Sequence, residues 1–254
     1  MTHEPFVVPP TLAMSRTASA RAAISPRSEL VDDAYDRLRD WIITGRLAPG
    51  APIIETDTAA LLGVQRSHLR IALQKLQHTG FVVTSRIGTY SRTRVAPLTL
   101  DDVVELFTVV GAVEGLAARQ AARMPSTRRS ALVRSLKKTN RELLRLARRE
   151  PADYNSINDL DVEFHATYVE AAGGPRVLAL HEAVKPQADR YERFYTNALI
   201  DQLEISVREH DAIIAAIESG DQDDAQHAVE INWRNAADRF ARAVATSGER
   251  GSIP

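Results

Sequence analysis

The chain has 254 residues, is 44% hydrophobic and 26% charged, carries a formal net charge of −1 and has no cysteine. The missing thiols exclude disulfides, thiolate metal sites and a cysteine nucleophile, and no apolar run reaches the ~18 residues of a membrane helix. Residues 1–95 carry 12 Lys and Arg against 8 Asp and Glu, while the rest carries 20 against 25; a basic front and an acidic back suit a nucleic-acid module joined to a different one.

Residues 1–28 are rich in Pro and Ser, hold one acid (Glu4), and lack the continuous apolar core of a signal peptide. They read as a disordered arm, and the cytoplasm as the location. From Glu29 a helical stripe of Leu30, Val31, Ala34, Leu38, Trp41 and Ile42 begins, with Ser28 in position to cap it. Gly45 and the pair Pro49-Gly50 stop it. "IIETDTAALLGV" predicts a short second helix opening near Thr56 or Asp57 and ending at Gly63. "GVQRSHLRIALQKLQ" follows at once as a third, with Leu69, Ala72, Leu73 and Leu76 on one face and Arg66, Arg70, Gln74 and Gln77 beside them. "FVVTSRIGTYSRTRV" then predicts two short strands around a tight turn at Gly88.

Helix, helix, short turn, helix, hairpin is the order of a winged helix-turn-helix, here over residues 29–95. A linker over 96–100 leads into helical stripes at 100–123, 127–149, 154–172, 175–198, 201–218 and 221–245. Pro125, Pro151, Gly173-Gly174 and Gly220 separate these stripes. The expected fold is therefore mainly α, an N-terminal winged helix-turn-helix followed by an all-helical effector-binding bundle over 101–246, with a tail at 247–254.

Two constellations carry chemistry. Arginine grips a guanine edge or a phosphate through its planar fork, so Arg66 and Arg70, one turn apart near the start of the third helix, suit DNA. A solvated charged face is the plainer reading of the same pattern. In the bundle, Asp161 and His165 lie i, i+4 and share a helix face, and His210 follows 45 residues after His165. Three such ligands with water can hold a divalent metal, Zn, Ni or Mn. The alternative is a metal-free polar pocket whose groups hydrogen-bond a ligand directly.

The stretch "LRDWIITGRLAPGAPIIETDTAALLGVQRSHLRIALQKLQHTGFV" resembles the DNA-binding domain of the GntR family of bacterial transcription factors. "DLDVEFHATYVEAAGG" and "REHDAIIAAIESGDQDDAQHAV" resemble the FCD ligand-binding domain of its fatty-acid-regulator branch. The resemblance covers roughly residues 29–245. It implies a homodimer on a pseudo-palindromic, double-stranded operator, remodelled by a small metabolite in the bundle. It also implies DNA contacts from Arg66, Ser67 and Arg70, with Gly88 at the wing turn and Arg86 and Arg92 as further wing candidates.

Departures from the family pattern fall at Gln65, His68 and Ile71; Gln65 and His68 become candidates to reach bases or phosphate. Metal-binding members of the branch carry a histidine where this chain has Asn232, a weaker ligand and a candidate effector contact. The family's usual Arg before its "L-E" pair is Val110 here, so a less acidic effector is expected, with Arg190 as the candidate replacement anchor. The leading function is a ligand-responsive transcriptional regulator, expected to repress by occupying its operator. The alternatives are a metal-dependent hydrolase built on Asp161, His165 and His210, and a DNA-binding protein with no effector.

Overall fold

The computed structural model describes residues 26–87 and 90–252. Helix α1 (Pro26–Ile43), α2 (Glu55–Leu62) and α3 (Arg66–His78) are followed by strands β1 (Val82–Ile87) and β2 (Tyr90–Val95). The strands pair antiparallel from Val82↔Val95 to Ile87↔Tyr90. One apolar core holds these elements, with Leu38, Ile42, Leu69, Leu73, Leu76 and Phe81 at its centre. Leu69 and Leu76 are fully buried, each worth about 2 kcal/mol of apolar burial. Gly63 joins α2 to α3 at φ 69°, and nothing lies near the place a Cβ would take. Its backbone angle, not space, is what demands glycine.

Six helices follow: α4 (Leu100–Arg123), α5 (Ser126–Ala147), α6 (Tyr154–Ala172), α7 (Pro175–Tyr195), α8 (Leu203–Ser219) and α9 (Gln222–Ser247), with two short 3-10 turns between α7 and α8. Helix α4 is the hub and packs on α9, α7, α6 and α8. A Cβ on Gly111 would stand 2.7 Å from the Trp233 Cβ, so glycine lets α9 lie close along α4. Side-chain caps start three of the helices: Thr99 accepts from the Asp102 N–H, Asp153 from Ser156, and Asp221 from Asp223 and Asp224.

The mainly α architecture and the winged helix-turn-helix order are as the periodicity predicts. Local differences have local causes. The first helix opens at Pro26, because proline with its fixed φ suits a helix start. Ser28 consequently lies inside the first turn and meets the Asp32 carboxylate instead of capping. The remainder of the expected arm, residues 1–25, lies outside the described residues, as does Gly88. Leu30, counted in the core stripe, is 44% exposed. Helix α7 runs through Pro186.

Two features tie the halves together. On α7, Gln187 donates to the Thr79 carbonyl at 2.7 Å, Arg190 to the Ala96 carbonyl at 2.5 Å, and the Phe194 ring lies against Gly45. At the C-terminus, Leu98 and Arg250 form an antiparallel bridge, Glu249 accepts from the Leu100 N–H at 2.9 Å, and Gly251 rests on Gly50.

Candidate functional site

Helix α3 buries Leu69, Ala72, Leu73 and Leu76, which leaves Gln65, Arg66, Ser67 and Arg70 exposed at its N-terminal end. No acid sits on that face of α3, but one is supplied from α2. Glu55 Oε2 lies 2.8 Å from Arg70 Nε and 3.4 Å from Arg66 Nη2. Both arginine side chains remain more than half exposed, so the pairs are weak and water-screened.

His68 does not share this face. It is buried, and its Nδ1 has no hydrogen-bond partner. At 100° per residue it stands 40° from Ala72, at the edge of the apolar stripe. The expectation that it reaches bases or phosphate is therefore corrected. Ile71 is half-buried in a groove with Tyr35 and Lys75. Arg92 on β2 is exposed, while the side chain of Arg86 lies outside the described residues.

In the bundle, Asp161 and His165 on α6 and His210 on α8 converge, their ligand atoms all within 4.8 Å of one another. They line a cavity of about 70 Å³ together with Asn232, Arg239, Glu192, Ser206 and Trp233. That is room for an ion and a few waters.

The tautomers follow from the partners. Asn140 donates its amide to the Val207 carbonyl at 3.0 Å and to Asp211 at 2.8 Å, so its oxygen faces His210 Nδ1 at 3.1 Å. Nδ1 of His210 therefore carries the proton. Its Nε2 is buried, lacks a hydrogen-bond partner and stands 3.6 Å from Asp161 Oδ1. Burial, and next the charge of His165, hold the His210 pKa well below the ordinary histidine range. The ring is neutral, with a lone pair aimed into the cavity.

His165 is held from behind. Its Nδ1 lies 2.7 Å from Glu114 Oε2, a fully buried carboxylate that also accepts from Tyr168 Oη (2.6 Å), Trp233 Nε1 (2.8 Å) and His181 Nε2 (2.8 Å). Burial pushes Glu114 toward its neutral form, but His165 and the other donors outweigh it, and its pKa lies well below the usual range. Burial works against protonated His165, and Glu114 reverses that, so the histidine pKa is raised. A carboxylate on the far nitrogen orients a histidine so that Nε2 is the ligating atom. These donors and the orphaned Nε2 of His210 fit a divalent metal.

The remaining sequence-based site residues divide. Asn232 lines the cavity, and its amide NH₂ is committed to Glu209 Oε2 at 3.0 Å, so its carbonyl oxygen is the group it can offer. Arg190 does not line the cavity and makes no surface salt bridge. It is 2% exposed and bonds the linker carbonyl of Ala96. Its assignment as an effector anchor is corrected, since burial between the two halves leaves it no ligand to reach. Val110 is fully buried in the core.

The cavity's cation is Arg239, which sequence reasoning missed, as it missed Glu114. Arg239 grips Glu209 at 2.9 and 2.8 Å, and Asn235 adds a third bond at 2.9 Å. Burial pushes Glu192, which also lines the cavity, up to about 7; Lys185 opposes this and Asp189 adds to it. The signals were present: Asn232, Asn235 and Arg239 recur at i, i+3, i+7, and Glu114 breaks an otherwise apolar stripe.

An exposed arginine pair on the second helix of a helix-turn-helix, joined to a bundle with a buried polar cavity, defines a DNA-binding protein with a ligand domain. Two families match in that order: "Bacterial regulatory proteins, gntR family" over residues 30–90, and "FCD domain" over residues 105–234. The chain belongs to the GntR family of transcriptional regulators and carries an FCD domain.

It is 29% identical to an uncharacterized HTH-type transcriptional regulator in an unstable DNA locus of Streptomyces ambofaciens, over 85% of this chain and 87% of that one. It is 28% identical to the HTH-type transcriptional repressor NanR of Cronobacter sakazakii, over 89% of this chain and 90% of that one. The solved structure of E. coli McbR/YncC shares the fold at a TM-score of 0.64, with 16% identity over 84% of this chain and 97% of that one. The matched families and the two named relatives are those of transcriptional regulators, not enzymes, and the hydrolase alternative finds no support among them.

Proposed function

We propose that the protein is a homodimeric repressor of the fatty-acid-regulator branch, which binds a pseudo-palindromic operator and is modulated by a small metabolite in its bundle. Residues 29–95 form the DNA-binding unit and 101–246 the effector and dimerisation unit, acting in the cytoplasm. Arg66, Ser67 and Arg70 carry the DNA contacts, with Gln65 at the helix start and Arg92 on the wing. Asp161, His165 and His210 hold a divalent metal, which supplies a Lewis-acidic position for an oxygen of the effector. Asn232 and Arg239 complete the wall around it.

The observation that carries this reading is helix α7. One of its faces lines the cavity through Glu192, joined by Thr196 just past its end. The opposite face bonds Thr79, the residue that ends α3. A ligand changes DNA affinity only by favouring one of two arrangements, and α7 is the element both sites touch.

Footprinting tests it. The wild type protects a palindromic site of roughly 15–20 bp, two half-sites one or two helical turns apart. Arg66→Ala and Arg70→Ala each abolish protection and leave the fold intact. Protection that survives both changes overturns the recognition-helix assignment. A metabolite screen by thermal shift, run with and without Zn²⁺, that finds no stabilising ligand favours effector-independent binding instead.

A further inference from the structure

Helix α5 carries a charge that the rest of its half of the chain does not. Residues 126–150 hold nine Lys and Arg against two Asp and Glu, while the remainder of 96–254 holds eleven against 23. At 100° per residue, Arg134, Lys137, Lys138, Arg141 and Arg145 fall within 60° of the line through Arg141. Arg148 and Arg149 follow just past the end of the helix. The other side of α5 buries Leu132, Val133, Leu136, Leu143 and Leu146, and the helix packs on α6 and α8.

Ordinary helix chemistry accounts for only part of this stripe. Lys137 reaches Glu218 and Arg148 reaches Glu204, both on α8, and Arg145 pairs with Glu142. A cation in the last turn also suits the helix dipole. Arg134, Lys138 and Arg141 lie before that turn, are exposed, and have no acid partner among the described residues. Arg134 and Lys138 stand i, i+4, as do Lys137 and Arg141, and Arg141 and Arg145. Like charges at that spacing destabilise a helix. A face that weakens its own helix points to a polyanion that neutralises it.

We propose that this face of α5 is a second DNA-binding surface, which holds the phosphate backbone of a duplex segment outside the operator half-sites without reading its sequence. Three observations choose DNA. The chain carries a GntR DNA-binding domain, and a duplex held there raises the local concentration of further duplex. Arginine predominates in the stripe, and its planar fork matches phosphate oxygens. None of the exposed residues of the stripe is apolar, so it offers nothing to insert among lipid headgroups. From Arg134 to Arg145 the five cations span about 16 Å of helix axis. A duplex presents a negative charge about every 1.7 Å of its own axis. The surface goes beyond the regulator reading above and does not depend on which residues of α3 touch the operator.

The test uses the full-length protein and a random-sequence duplex of roughly 60 bp, whose binding reports phosphate contacts alone. Arg134→Gln, Lys138→Gln and Arg141→Gln are combined, because glutamine keeps the helix propensity and removes only charge. The variant is expected to melt at or above the wild-type temperature, since like-charge pairs are lost. By fluorescence anisotropy over a salt series, the steepness of log affinity against log salt is expected to fall by roughly 2–3. Affinity at low salt should drop at least tenfold. The single change Arg141→Gln carries the same test with the least disturbance, lowering the steepness by about 1. Arg66→Ala with Arg70→Ala should leave salt-dependent binding to this duplex, which the three α5 changes then remove.

A wild type that binds the duplex, with the α5 variants unchanged in steepness, overturns the surface and leaves the recognition helix untouched. A wild type that binds no duplex at any salt overturns the DNA-binding reading together with it. Vesicles of phosphatidylserine and phosphatidylcholine supply the last arm. Sedimentation with them that the triple variant loses, while its duplex binding matches wild type, assigns the face to an anionic membrane and overturns DNA as its occupant.

Discussion

Glu55 pairs with both Arg66 and Arg70, and on the proposed reading it stands where a DNA phosphate would bind them. It offsets the positive face of α3 when DNA is absent, so Glu55→Gln is expected to raise operator affinity a few-fold at fixed salt, read by fluorescence anisotropy. Lowered affinity would mean that Glu55 orients the arginines instead. Glu114 is the opposite case, a buried charge with four donors. Glu114→Gln places an NH₂ among them and removes the charge that stabilises His165. The bundle should lose about 3 kcal/mol in chemical denaturation; a loss under about 1 kcal/mol would show that the donors find other acceptors. Spacing made Asp161 and His165 legible as a pair, because i, i+4 on a helix fixes a shared face; it is the fold that brings His210 to them from α8. Arg190 was misread for the same reason that Arg239 was missed. An arginine's helical angle says which way it leaves its own helix, and nothing about which neighbour stands there.

Helix α7 shows what periodicity captures and what it leaves out. Its existence and start were readable from the stripe at 175–198, whereas its end at Tyr195, where a 3-10 turn takes over, was not. Nor was its double duty, since both faces are partly polar. Gln187, Arg190 and Phe194 recur at i, i+3, i+7 and meet the DNA-binding half. Lys185, Glu192 and Thr196, at i, i+7, i+11, stand about 140–180° round the helix and turn to the ligand half. Lys185 lies 3.3 Å from Glu192, and Thr196 bonds Asn158 at 2.8 Å. If α7 carries the coupling, its outer contact can be cut without harming either site. Gln187→Ala is expected to leave operator binding and metal binding within about twofold of wild type. The change in operator affinity caused by metal and effector together should shrink several-fold, as is typical for residues along a coupling element. An undiminished response would move the coupling to the linker.

At the scale of the whole molecule, the apolar cores of the two halves are separate clusters, and residues 248–252 help close the seam between them. Residues 247–254 looked like a polar tail because no helical or alternating pattern runs through them. The contacts that fix the described part of this segment to the rest of the chain are distant in sequence, which local periodicity cannot register. Leu98 and Arg250 exchange backbone bonds at 2.9 and 3.1 Å. The Tyr195 hydroxyl donates to the Gly248 carbonyl at 3.0 Å, and the Arg250 guanidinium lies over the rings of Phe194 and Tyr195. Gly251 reaches past the linker to Gly50, in the DNA-binding half. The segment thus straps the linker to both domains and shields its backbone. Deleting residues 248–254 removes these bonds and leaves each core whole. Helical content by far-UV circular dichroism should therefore hold, while limited proteolysis should cut the linker at 96–99 many times faster. Because stability is local, such a cut reports opening of the seam and not unfolding of either domain. Cleavage at the wild-type rate would mean that Gln187 and Arg190 alone keep the two halves docked.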